Sequence, residues 1–264
     1  MKKKNYNLLI GAFLTGTVFF MMLAGIWILP YDPETMNIDL KFAGISFAHP
    51  FGCDNYGRDM FTRVMVGTGS TLQVALGTVA IGAGIGILIG AFTGYFGGWM
   101  DEVMMRVIDA LFAFPSILLA LVVISLMGIG KYQVVVALGI AFIPSFARVV
   151  RSEFLKQREM DYVKNARIMG CGHLRIMFVH ILPNILSVLV PTVMIGFNNA
   201  VLAEAGLSYL GIGVQPPDAS LGRMLSEAQT YLFSQPSYAL FPGLTIVLLV
   251  LGCSLLADGL EAKR

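Results

Sequence analysis

The residues that could do chemistry are few and scattered. Three histidines (His49, His173, His180) and three cysteines (Cys53, Cys171, Cys253) are spread over 264 residues, and the cysteines show no metal-ligand spacing. The chain has no G-x-x-x-x-G-K-[ST] phosphate loop, no H-E-x-x-H pair and no G-x-S-x-G elbow. It therefore offers no catalytic set and no metal set of its own. One stretch stands out. From Arg148 to Pro183 it carries Arg148, Arg151, Lys156, Arg158, Lys164, Arg167 and Arg175 against Glu153, Glu159 and Asp161. Such a segment can dock another macromolecule, or it can be an ordinary basic loop. A net charge of +2 is too small to point to nucleic acid.

The elements that must carry this loop follow from composition. Hydrophobic residues make up 56% of the chain and charged ones only 13%, more apolar surface than a soluble fold can hide. A bilayer core takes about 20 apolar residues per helix. Six such stretches are present: Leu8–Leu29, about Gly67–Phe96, about Met104–Met127, about Gln133–Val150, about Asn184–Leu202 and about Ala239–Leu256. The class is all-α, a polytopic membrane bundle of six transmembrane helices. Lys2, Lys3 and Lys4 before the first stretch resemble a secretory signal. That stretch is longer than a signal core, however, and runs into Pro30, Tyr31 and Asp32 with no small-residue cleavage site, so it reads as a retained span.

Positive charge orients the bundle. With the N-terminus inside, 13 of the 18 Lys and Arg residues fall on inner segments and five on outer ones (Lys41, Arg58, Arg63, Lys131, Arg223). Both termini are therefore expected to be cytoplasmic. His49 then lies outside and His173 and His180 inside, which excludes a shared metal. Residues 1–66 form the first span plus an extracytoplasmic segment. Residues 67–264 form a five-helix core containing an inside loop at about 152–183. The outer segment Glu204–Tyr238, with Pro216-Pro217 and several glycines, cannot be one continuous helix. Its semi-apolar middle makes it a candidate outer scoop or gate, with Glu204, Ser208, Tyr209 and Gly211 the residues of interest.

Within the spans, Gly82, Gly86, Gly90, Gly94 and Gly98 recur every fourth residue. Small residues at that spacing let another helix approach to backbone contact. On a straight helix the stripe drifts by about 40° per step, so it is expected to follow a crossing helix. Charges inside spans are almost absent. Asp109, early in the third span, and Glu204, at the outer end of the fifth, read as interfacial or packing residues. A chain that drives its own transport usually shows mid-span acids or a basic ladder, so energy is expected to come from elsewhere.

The inside loop reads Asp161-Tyr162-Val163-Lys164-Asn165-Ala166-Arg167-Ile168-Met169-Gly170. Val163, Ala166 and Arg167 fall on one helical face. Gly170 is a natural stop, and Pro183 suits the start of the helix that follows. The expected order is a short surface helix, a Gly break, then an approach helix entering the membrane.

These residues resemble a known family. Ala166, Gly170 and Leu182-Pro183 fit the E-A-A-x-x-x-G-x(9)-I-x-L-P loop of ABC-type importer permeases, with Lys164, Asn165 and His180 departing from it. D-Y-V-K-N-A-R-I-M-G and H-I-L-P-N are similar to the peptide/nickel branch. Three other stretches resemble its C-type subunit: His49-Pro50-Phe51-Gly52-Cys53-Asp54-Asn55-Tyr56-Gly57-Arg58-Asp59, Glu204 to Gly213, and Ala257-Asp258-Gly259-Leu260. Cys53 stands where that family usually has Thr. The resemblance implies a non-enzymatic permease of the bacterial inner membrane, paired with a homologous second permease. Two ATPase subunits would bind ATP and Mg, and an extracytoplasmic binding protein would deliver the solute. It also implies that the segment around Asp161–Gly170 is a coupling helix seated on an ATPase. Peptides are the expected solute, and nickel or a metal chelate is the alternative.

Overall fold

The computed structural model describes residues 6–261, without the side chain of Glu261. Lys2, Lys3, Lys4, Lys263 and Arg264, which entered the charge count, lie outside the described residues. The described chain is mostly helical and has no strand among the described residues, only one isolated bridge between Cys53 and Asp59. Its helices are α1 (Tyr6–Trp27), α2 (Met60–Phe96), α3 (Gly98–Phe112), α4 (Ser116–Met127), α5 (Lys131–Arg158), α6 (Asp161–Ile168), α7 (His173–Arg175), α8 (Leu182–Tyr209), α9 (Leu221–Ala228) and α10 (Pro236–Glu261).

The centre of the bundle is the pair α2 and α5. A Cβ at Gly82 would lie 3.0 Å from Phe142 Cβ, at Gly86 2.6 Å from Phe146 Cβ, at Gly90 2.8 Å from Val150 Cβ and at Gly94 2.7 Å from Phe154 Cβ. Four residues on one helix match four on the other, in the same direction, so α2 and α5 run parallel. Both stripes drift around their own axes, so the helices wind about each other to stay in register. Gly98 lies outside the stripe: α2 ends at Phe96, and Gly98 opens α3 with φ +61°.

Parallel neighbours need a crossing between them, and α3 with α4 supplies it. The third span is not continuous over Met104–Met127. It breaks at Ala113-Phe114-Pro115, and its halves meet at 89°. Pro115 lacks an N–H and disfavours helical backbone at Phe114. Five helices are long and apolar enough to cross a membrane, and the bent pair makes six.

The other spans run longer than hydropathy marked them. α2 begins at Met60 rather than Gly67, so a boundary drawn at residue 66 falls inside it. α5 covers Lys131–Arg158 rather than stopping at Val150. Apolar runs report the membrane-buried part of a helix: α5 continues past it as the polar turns 151–158, whereas the added turns of α2, residues 60–66, are mostly buried against the rest of the bundle. The fifth span differs most. It runs from His173 to Tyr209; the span is not opened by Pro183, which stands in the first turn of α8, as its type suits. A π turn over Ile176–Ile181 precedes it, and such a turn accommodates the missing N–H and the ring within a continuing helix.

α1 lies antiparallel to α10: a Cβ at Gly11 would meet Leu256 N at 2.7 Å, and one at Gly259 would meet Leu8 Cβ at 2.8 Å. Gly25 of α1 packs on Met65 of α2. Tyr6 and Glu261 therefore point to the end of the bundle where α2 and α5 finish and α6 sits. The opposite end is closed by residues 28–59, α9 and the turn before α10.

Candidate functional site

α6 is built by local rules and then pinned. Asp161 occupies its first turn and Arg167 its last, each of the sign that suits the helix dipole there. At its end Gly170 takes φ +80°. Cys171 N donates to Ala166 O at 3.0 Å and Gly170 N to Arg167 O at 3.0 Å, the paired bonds that close a helix through a left-handed glycine.

Val163 and Ala166 face inward and are buried with Tyr95, Val150, Phe154, Ile176, Met177 and Ile181. Burying a side chain the size of Val163 stabilises by about 1.5–3 kcal/mol. That is enough to hold a two-turn helix which would not persist alone. Arg167 is not part of the buried face. It sits exposed at the rim, its guanidinium 5.1 Å from the Tyr95 ring centre. The Tyr162 hydroxyl donates to Gln157 Oε1 at 2.8 Å, tying α6 to the end of α5. Tyr95 Oη and His173 Nδ1 lie 2.9 Å apart, tying the end of α2 to the segment after α6.

The outward side of α6 is open. Asp161, Lys164 and Asn165 are exposed, and Ile168 and Met169 are 84% and 82% exposed. Two large apolar side chains thus stand at the tip of α6 beside polar Asp161, Lys164 and Asn165.

At the opposite end, Glu204 and Ser208 do not face solvent. Both are fully buried. Ser208 Oγ donates to Glu204 Oε1 at 2.6 Å and accepts from Val214 N at 3.0 Å. Gly211 closes α8 as Gly170 closes α6, with φ +82° and Ile212 N donating to Leu207 O. Of the four residues marked there, Tyr209 alone is exposed. Asp109 lies in α3, exposed, and accepts from Arg148 Nη2 at 2.6 Å.

Reasoning from sequence missed the charge cluster that closes this end. Arg58 Nε donates to Asp54 Oδ2 at 2.6 Å. Arg58 and Arg63 reach Glu227 Oε2 at 3.2 and 3.1 Å. The Tyr238 hydroxyl donates toward Asn55 Oδ1 at 3.1 Å and Glu227 Oε2 at 3.3 Å. Asp59 caps α2 by accepting from Thr62 N at 2.7 Å, and His49 Nδ1 lies 2.9 Å from Asp59 Oδ1. The stretch His49–Asp59 is thus a knot that fastens residues 28–59 onto α9 and α10. Its one sequence signal was the density of acids and bases between Asp54 and Arg63, whose partner Glu227 lies far along the chain.

Five long apolar helices and a bent pair, with a short helix pinned at one end, make a polytopic membrane bundle. Residues 86–263 match the family described as binding-protein-dependent transport system inner membrane component, and the chain belongs to that family. It is 42% identical over 236 residues to the glutathione transport system permease protein GsiD of Pectobacterium atrosepticum, covering 89% of this chain and 78% of the relative. It is 40% identical over 254 residues to the proteins of the same description from Escherichia coli and Shigella boydii, covering 94% of this chain and 84% of each.

Proposed function

We propose that this chain is one permease of an ATP-driven importer for small peptides, and that α6 is the contact through which separate ATPase subunits drive it. The observation that carries the reading is the two-sidedness of α6. Val163 and Ala166 root it in the ends of α2, α5 and α8, while Lys164, Asn165, Ile168 and Met169 stand free on the other side. A movement applied to the free side passes into three spans at once. Rigid-body switching needs such a lever.

The end bearing α6 faces the cytoplasm in this reading, which the excess of Lys and Arg there supports. A second, homologous permease completes the pathway, and an extracytoplasmic binding protein delivers the solute to the end closed by α9. ATP and Mg belong to the partner ATPases. The peptide assignment rests on relatives described as glutathione permeases, glutathione being a tripeptide.

Two measurements test the reading. The chain should co-purify with a second permease and ATPase chains, and reconstituted vesicles should accumulate peptide only with ATP. Uptake by this chain alone, without ATPase subunits, would make it a self-contained carrier. Within the assembly, Gly170→Pro or Ala166→Leu should leave ATP hydrolysis running while uptake falls. Wild-type uptake in an assembled Gly170→Pro or Ala166→Leu transporter would remove the lever.

A further inference from the structure

The bundle exposes uncharged polar side chains at a depth where lipid would leave them unpaired. Ser145 lies at the midpoint of the span Lys131–Arg158; near the midpoint of His173–Tyr209 lies Thr192, half-buried, its hydroxyl donating to Val188 O at 2.8 Å. Asn199 follows about two turns further along α8. Together with Ser116, the first residue of α4 after the break, they line one groove of about 380 Å³ between α4, α5 and α8. Ser116, Ser145 and Asn199 are exposed, and among the described residues their side chains have no hydrogen-bond partner. The groove floor is close-packed: a Cβ at Gly196 would strike the ring of Phe146.

An exposed amide in the hydrocarbon core has nothing to bond to. This face is therefore wet or covered by polar matter. The helix break at Ala113-Phe114-Pro115 lies beside it, and non-helical backbone at membrane depth is tolerated where it lines a cavity. By contrast, the exposed side chains Leu88 on α2 and Val247 on α10 are apolar, as a lipid-facing surface requires.

We infer that the α4–α5–α8 groove is this chain's wall of the solute pathway, and that it receives the uncharged backbone of a small peptide. No ionisable side chain lines it. Hydroxyls and one carboxamide can each give and accept a hydrogen bond, which matches peptide N–H and C=O groups whatever the side chains. The charged termini find no partner among the groove's side chains. The inference rests on the transport reading above.

The test uses the assembled, reconstituted transporter in a Cys171→Ser background. Cys53 and Cys253 are buried and can remain. Ser145→Cys and Asn199→Cys are introduced singly, with Leu88→Cys and Val247→Cys as lipid-side controls, and treated with a membrane-impermeant methanethiosulfonate. Groove cysteines should react at least about tenfold faster than the controls in one nucleotide state. A thiol-free peptide that the same preparation accumulates should slow them by about threefold or more. Reaction at the control rate in every nucleotide state overturns the inference. So does labelling indifferent to peptide. ATP-dependent uptake by the unsubstituted assembly, measured alongside, reports separately on the transport reading.

Discussion

Tyr95 Oη and His173 Nδ1 lie 2.9 Å apart, so the last turn of α2 is tied to the segment that leaves α6. The Arg167 guanidinium rests over the same tyrosine ring at 5.1 Å. Tyr95 thus touches α6 and the segment that follows it, on both sides of the Gly170 turn. Tyr95→Phe keeps the ring and removes the hydroxyl, a loss of about 1 kcal/mol. The assembly should survive and hydrolyse ATP, but peptide taken up per ATP hydrolysed should fall. Paired uptake and phosphate-release assays in vesicles measure that ratio.

The glycine stripe of α2 predicts a graded response. A Cβ at Gly90 would lie 2.5 Å from Ala147 O and 2.8 Å from Arg151 N, both backbone atoms that cannot step aside. Gly90→Ala should force α2 and α5 apart and lower the melting temperature in detergent. At Gly84 nothing lies within 4 Å. Gly84→Ala should be neutral or stabilising by up to about 1 kcal/mol through helix propensity.

Glu227 is the shared partner of Arg58 and of Arg63, whose side chain is 3% exposed. Removing one member of such a cluster leaves buried charge uncompensated, at a cost of about 3–5 kcal/mol. Glu227→Ala should therefore melt far earlier than wild type. Adding Arg63→Met should restore part of the loss. A double-mutant cycle on melting midpoints checks both.

Burial pushes the Cys53 thiol up to about 11, and the charges of Asp59 and Asp54 add to the shift. A raised thiol value favours the neutral form, so almost no thiolate exists at pH 8 and the fraction grows only as pH nears 11. Since the thiolate is the nucleophile, maleimide at pH 8 should label the partly exposed Cys171 well before Cys53. Mass spectrometry of timed digests follows the two sites.

Much of the fold could be read from the sequence because lipid imposes a simple code of apolar length. The six crossings and the short helix ending at Gly170 follow from that code and from turn chemistry. What escaped was tertiary. Hydropathy passes smoothly over Ala113-Phe114-Pro115, so the broken third span looked continuous. Pro183 does stand in the first turn of α8, but sequence does not announce the π turn that joins α8 to the segment before it. Glu204 gave no sign that it is sealed against Ser208. The link from Arg58 and Arg63 to Glu227 spans more than 160 positions, beyond the reach of any local pattern.

The proposed seating of α6 on an ATPase can be tested by cross-linking. Asn165 is exposed on its free side, and Asn165→Cys can be paired with single cysteines placed across the surface of the co-purified ATPase. The predicted result is a disulfide with cysteines of one groove, formed in the assembled transporter and absent when Leu88→Cys is used instead. An assembled, ATP-hydrolysing transporter in which Asn165→Cys cross-links to no ATPase position would contradict it.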